Sequence, residues 1–258
     1  MPDDTSQRSE QIPTNLRLLV LLEEVARAGV PVTPSALKDK LKLPKPTLHR
    51  LFNTAEAEGY LQRDIDGRSY SPGPRLRRLA VNTMSAQRIR TVRLNIMRHL
   101  AADVGETCNL ATPDRDGMTY LDRVETHWPL RIQLPIGTRV PFYCTASGKL
   151  YLSSLRPGQL EKLVRSIKLE PHGPGMISSA DALIEEVAEI RKRGHATDNQ
   201  EFMVDMVAIA VPILDDQNLL VSTLSVHAPT QRHSLKTLAR HLDRLKLAAS
   251  DLAALIGG

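Results

Sequence analysis

Cysteine is almost missing from this chain of 258 residues, with Cys108 and Cys144 the only two. They have no CxxC spacing, which argues against a disulfide scaffold and against a structural metal, and both read as small apolar free thiols. Aromatic residues make up 3% and leave little stacking surface. No apolar run approaches the roughly 18 residues that a membrane helix requires. The first 15 residues, MPDDTSQRSEQIPTN, carry no hydrophobic core of a signal peptide, so a cytoplasmic chain is expected. Catalytic signatures are equally scarce. There is no GxSxG elbow, HExxH, P-loop or dinucleotide fingerprint, and the eight histidines lack ligand spacing. Neither a cofactor nor a metal is expected.

What is present is apolar material for two ordinary domains, 41% hydrophobic against 24% charged residues. The charge is uneven. Residues 1–100 hold 17 Lys and Arg against 10 Asp and Glu, and the remainder holds 17 against 19. A basic first part on a near-neutral second part suits a polyanion at one end only, because phosphate binding draws on counterion release by clustered cations.

Hydrophobic spacing predicts three helices early in the chain. Thr14 is the expected cap of the first, with Leu18, Leu19, Leu22, Val25 and Ala26 as its apolar stripe and Gly29 as its stop. Thr33-Pro34 opens a short second helix whose inner face is Ala36, Leu37 and Leu41. Lys45-Pro46 opens a third, with Leu48, Leu51, Phe52 and Ala55 inward and Gly59 at its end. Two short extended runs around Asp64-Ile65-Asp66-Gly67 then read as a β-hairpin. Three helices and a hairpin form the winged helix-turn-helix plan. The inward set on helix three turns Thr47, His49, Arg50, Asn53 and Thr54 to solvent, where Thr47 and Arg50 are placed for base edges. Thr33, Ser35 and Lys45 stand at helix N-termini suited to phosphate, and Arg68 stands on the hairpin loop. His49 suits a cap or a packing contact as well as a phosphate.

A helical stretch follows, with Leu76, Leu79, Ala80 and Thr83 on one stripe and then Val92, Ile96 and Leu100. Beyond Gly105, strands are expected at Thr107–Thr112, Met118–Val124 and Leu130–Leu134, and helices at Ala146–Leu155, Gln159–Ile167 and Ala180–Lys192. Met206–Leu214 and Leu219–Val226 read as a hairpin, and one last helix carries Leu235, Leu238, Leu242, Leu245, Ala249 and Leu252. Mixed antiparallel strands with segregated helices make an α+β domain. The expected division is a disordered tail over 1–13, a winged helix-turn-helix over 14–74, a linker helix over 75–92, and an α/β domain with a mostly antiparallel sheet over 93–258.

The run LPKPTLHRLFNTAEAEGYLQRD (residues 43–64), with Arg68-Ser69-Tyr70-Ser71-Pro72-Gly73-Pro74-Arg75-Leu76, closely resembles the winged-helix signature of the IclR (isocitrate lyase regulator) family. Glu106-Thr107-Cys108-Asn109-Leu110-Ala111, Tyr120-Leu121-Asp122-Arg123-Val124-Glu125, Pro135–Pro141, Thr145–Lys149, Arg193–Asp198 and Ile209–Pro212 resemble that family's GAF-like effector domain. The resemblance implies a regulator that binds double-stranded operator DNA as a homodimer or dimer of dimers and answers to a small organic-acid effector. It further implies an effector site at Ile132, Ala146, Ser147, Asp198, Ala208, Ser225 and His227. Ala208 stands where the family often has cysteine, and His227 where a small hydroxyl residue is common. His227 is read either as a partner for the effector, charged or hydrogen-bonding, or as a buried histidine satisfied by backbone, and Asp198 either as an effector contact or as a turn residue. Two other readings compete: a GAF-like enzyme, and an architectural DNA-binding protein without effector. Thr145–Lys149 resembles an SxxK nucleophile motif only superficially, the required serine and the partner motifs being absent.

Overall fold

The computed structural model describes residues 12–84 and 87–255, and the chain divides into two compact units that meet in sequence at Ser85 and Ala86. Residues 1–11 of the expected tail lie outside the described residues, whereas Ile12 is half-buried against the core of the first unit.

The first unit contains α1 (Arg17–Arg27), a 3-10 turn (Pro34–Leu37) running into α2 (Lys38–Leu41), α3 (Lys45–Ala57), β1 (Leu61–Arg63), β2 (Tyr70–Pro72) and α4 (Pro74–Met84). Phe52 lies wholly buried at its centre, tilted against Tyr70 with ring centroids 4.8 Å apart. The strands pair antiparallel with Arg63 opposite Tyr70, and Val32 adds a reciprocal bridge to Tyr70. That bridge ties the segment before α2 to the hairpin.

Three expectations at this end need correction. Thr14 does not cap α1: the helix begins at Arg17 behind Leu16, which carries no side-chain cap. The buried stripe is Leu21, Leu22 and Val25, with Leu19 54% exposed and Ala26 exposed, because a run of adjacent leucines fits two helical phases equally well. Ala36 faces solvent, since proline and the 3-10 turn rotate the face that an ideal α-helix presents.

The second unit opens with α5 (Gln87–Val104) and builds one six-stranded sheet from β3 (Thr107–Pro113), β4 (Met118–Val124), β5 (Arg139–Val140), β6 (Ala196–Asn199), β7 (Met206–Leu214) and β8 (Leu220–Pro229). The order is β5-β4-β3-β8-β7-β6, antiparallel throughout. Between β5 and β6 come α6 (Ala146–Ser154), α7 (Pro157–Ser166) and α8 (Ala180–Arg193). Ala146 and Leu150 of α6 and Ile190 of α8 pack on Ala196, Ala208 and Ala210. Residues alternate in strands, so this face also carries Asn109, Arg123, Ser225 and His227. The opposite face carries Asp122, whose fully buried carboxylate takes Arg93 and Arg90 of α5.

No strand forms at Leu130–Leu134: the segment is irregular, Leu130 is 55% exposed, and Ile132 alone is buried. Its short apolar run lacks a sheet edge, since β5, which begins five residues after Leu134, takes that edge of β4. The single last helix is three pieces, α9 (Leu235–Leu238), a 3-10 turn (Ala239–His241) and α10 (Leu242–Ala254). Leu245, Ala248, Ala249 and Leu252 of α10 are buried, and α10 packs on β7 and α5.

Candidate functional site

Two arrangements of side chains are built for binding, one in each unit. In the first, α3 carries Lys45, His49, Arg50, Asn53 and Thr54 exposed and Thr47 half-buried. Ser35 is exposed on the 3-10 turn, and Thr33 is half-buried at its start, with no side-chain cap bond of its own. Lys45, Arg50 and Arg68 have no ion-pair partner among the described residues. Cations left uncompensated on one helix and one loop remain available to phosphate.

The wing is held, and the residue that holds it escaped sequence reasoning. Arg63 at the end of β1 donates through Nε and Nη2 to both oxygens of Glu56 on α3, at 3.0 and 2.7 Å. Its Nη1 donates to Gly67 O at 3.1 Å, and its guanidinium lies 4.8 Å from the centre of the Tyr70 ring. This pairing lowers the Glu56 carboxyl below its usual range. Within the loop, Asp66 accepts from the backbone N–H groups of Arg68 and Ser69, each at 2.8 Å, and from the Ser69 hydroxyl at 2.6 Å. Gly67 takes φ +66°, the left-handed turn for which glycine is favoured. Arg68 is thereby presented to solvent on an anchored loop beside α3. An arginine 18 residues after Lys45 gives no periodic signal, so only the fold reveals Arg63 as the clasp.

In the second unit, all seven residues of the expected effector site are buried and border one face of the sheet. Asp198, Ala208, His227 and Thr107 are register partners across β6, β7, β8 and β3, and Ala210, Ser225, Asn109 and Arg123 form the neighbouring row. Over these rows stands the start of α6. Thr145 caps it, accepting from Gly148 N at 3.0 Å, which leaves the first N–H groups of Ala146 and Ser147 without intrahelical partners. Gly148 is required here because a Cβ would strike the backbone of Phe142 and Pro141.

His227 Nε2 lies 3.1 Å from Ser225 Oγ, and its ring meets Tyr120 edge-on with centroids 6.4 Å apart. Burial, with the Arg123 cation adding to it, pushes the imidazole down to about 3, which favours the neutral, hydrogen-bonding form of His227. Asp198 accepts from Glu201 N at 2.8 Å and Phe202 N at 3.4 Å, so it does shape a turn. Burial, reinforced by nearby Glu201, raises its carboxyl to about 7. Ile132 enters through its carbonyl, which accepts from Arg123 Nη2. Lys149 is clasped by both oxygens of Glu201 at 2.5 and 2.6 Å, a buried ion pair in place of the base that a nucleophile motif needs. Burial raises the Cys108 and Cys144 thiols far above the range of reactive thiolates. Among the described residues, no group of three or more His, Cys, Asp or Glu is disposed around a metal position, and no helix is long and apolar enough to cross a membrane.

Asn109, Tyr120, Arg123, Lys149 and Glu201 went unnoticed as site residues. Asn109 and Lys149 sit in apolar strand and helix patterns, and a polar residue at an inward position was the available signal.

Comparison with known proteins agrees with this division. The IclR helix-turn-helix domain model matches residues 16–64, and the model of the bacterial transcriptional regulator IclR C-terminal domain matches residues 81–254. The probable transcriptional regulator SauR of Cupriavidus necator is 37% identical, covering 92% of this chain and 94% of its own. The transcriptional repressor IclR of Escherichia coli is 26% identical over 88% of this chain and 84% of its own. Among solved structures, an IclR homologue of Microbacterium hydrocarbonoxydans complexed with 4-hydroxybenzoate is 26% identical with a TM-score of 0.60, covering 93% of this chain and 98% of that one. The Thermotoga maritima IclR, at 24% identity over 95% and 99% of the two chains, shares the fold with a TM-score of 0.63.

Proposed function

The chain belongs to the IclR family of bacterial transcription regulators, and from that premise we propose that α3 and the anchored wing read operator DNA while the second unit answers to a small organic acid. The chain is a helix-turn-helix regulator, as its relatives are. The observation that carries the assignment to residues is the set of uncompensated cations, Lys45, Arg50 and Arg68, displayed on α3 and on a loop clasped to it. Arg50 and Thr47 take base edges, with His49 and Asn53 beside them, and Thr33, Ser35, Lys45 and Arg68 take phosphates. In this reading residues 14–74 bind DNA, 75–92 link, and 93–258 sense and assemble.

The acid effector is supported by the buried first turn of α6, whose N–H groups without intrahelical partners and whose dipole favour a carboxylate, and by the polar residues on the sheet beneath it. That a homologue holds 4-hydroxybenzoate fits an acid of this size. The reading assigns no chemical step, since Lys149 is engaged by Glu201 and both thiols are buried. A homodimer or dimer of dimers is supported by Leu79, Val81 and Val92, apolar side chains left at 53%, 39% and 43% exposure on α4 and α5. Footprinting of the DNA upstream of its own gene, with and without a panel of acids, tests the whole reading. A protected site whose occupancy changes with one acid is expected; the absence of any protected duplex overturns it.

A further inference from the structure

Two buried polar atoms on the effector face have no partner among the described residues: Asn109 Nδ2 and Ser147 Oγ, in residues 0% and 3% exposed. Leaving such an atom unpaired costs about 1–3 kcal/mol, and two of them on one site point to a ligand that supplies what is missing. Their orientation is informative. Asn109 Oδ1 accepts from Arg123 Nη1 at 3.2 Å, and because guanidinium only donates, the amide's Nδ2 is turned away from Arg123 as a free donor.

Around Asn109 the charge is cationic. Arg123, its side chain 4% exposed, bonds Asn109 Oδ1, Ile132 O and Glu125 Oε1, the last at 3.1 Å, and Glu125 is shared with Arg131 at 2.8 Å. Two guanidiniums thus face one carboxylate. A surface hollow of about 550 Å³, lined by Arg123, Glu125, Arg131, Gln133, Leu134, Pro135 and Ile136, reaches Arg123. The first turn of α6, which holds Ser147, opens with Ala146, which packs in one cluster with Ala208 and Ala210 of β7. The Asn109–Arg123 pair and this turn both donate hydrogen bonds and both favour negative charge.

Resting on the effector reading above, we propose that Asn109 and Arg123 form a second anion subsite, so that the effector is a short acid with two acidic groups. One group sits on the α6 turn and Ser147, and the other on Asn109 Nδ2 and the Arg123 cation. Asn109 on β3 and Ala210 on β7 are two strands apart, about 10 Å at the usual strand spacing. Two strand spacings are the span of a small molecule, and the comparison of malonate with succinate measures how many methylenes the site takes. His227 and Tyr120 wall the middle, and Asp198 is the acceptor for any hydroxyl on the spacer.

Calorimetric titration of the full chain with malonate, succinate, butyrate and 4-hydroxybenzoate, at one pH and ionic strength, tests this. Succinate should bind about tenfold or more tighter than butyrate, its monoacid of equal length, as a charge-assisted bond predicts. That ratio should fall towards one in Arg123→Gln and in Asn109→Ala, while the selectivity of the parent requires no variant to fold. Equal binding of succinate and butyrate, tighter binding of 4-hydroxybenzoate than of either diacid, or an unchanged ratio in both variants overturns the second subsite and leaves the effector reading standing. If none of the four acids binds, both fall.

Discussion

Arg50 shows how much one side chain carries. It is exposed on the outward face of α3 with no ion-pair partner among the described residues, so its truncation removes nothing from the fold. A bidentate contact to a base discriminates by about 1–3 kcal/mol, and Arg50→Ala is expected to lower operator affinity by about ten- to a hundredfold in a gel shift at fixed salt, with an unchanged melting temperature. Unchanged affinity removes Arg50 from the interface. Asp198 and His227, register neighbours across Ala208, make opposite contributions to pH dependence. The Asp198 carboxyl is raised to about 7, so its contribution to stability is complete below the unfolded value near 4 and is lost as pH rises to 7. The His227 ring is lowered to about 3, so its contribution is complete above about 6.5 and is lost as pH falls. Between about pH 4 and 6.5 the two slopes cancel. Asp198→Asn uncovers the histidine: its stability, read from urea melts, should rise with pH across that window by up to about 1.4 kcal/mol per unit relative to the parent. A difference from the parent that does not vary with pH would show that Asp198 keeps an ordinary carboxyl.

At the scale of elements, α5 is held to the sheet by a buried charge cluster. The Asp122 carboxylate is wholly buried between Arg93, itself 4% exposed, and Arg90, at 3.0 Å. Asp122→Ala removes the buried carboxylate that Arg93 and Arg90 share, a loss on the order of 3–5 kcal/mol for breaking a buried ion pair, and a fall in melting temperature with loss of α5 helicity is the expected reading. Phe52→Ala at the centre of the first unit belongs to the same range, about 3–5 kcal/mol, through a cavity against Tyr70 instead of a broken ion pair. These elements differed in how plainly the sequence announced them. Strands β4 and β7 were legible to the residue and α3 and α8 nearly so, because each carries one uninterrupted period between strong breakers. The two-residue β5 and four-residue β6 are shorter than any periodic signal and exist because a neighbouring strand offers hydrogen bonds. The exposure of His49, Arg50, Asn53 and Thr54 on α3 was readable from helical phase, and Thr47 is half-buried. Asn109 and Arg123 were not readable, since which face of β3 and β4 meets α6 is decided by the order of strands far apart in sequence.

For the whole molecule, the unequal charge and the two-unit division make one quantitative demand. The basic residues of the first unit must act on phosphate together, so binding should weaken steeply with salt, by about 0.9 in the log–log slope for each phosphate neutralised. Lys45 and Arg50 share α3 yet have different assignments: Lys45 stands at its first residue as a phosphate contact and Arg50 reaches a base. Lys45→Ala should therefore reduce the salt slope by about one and weaken cognate and scrambled duplexes alike, whereas Arg50→Ala should spare the scrambled duplex and penalise the cognate one. One recognition helix offers too few base contacts to specify an operator alone, and a two-fold pair doubles them across half-sites about 34–36 Å apart. The same titration, repeated on a duplex carrying a single half-site, should lose both affinity and about half of the slope. A slope that persists undiminished on the half-site, with equal losses for Lys45→Ala and Arg50→Ala on every duplex, would mean that the first unit holds DNA by charge alone and reads no sequence.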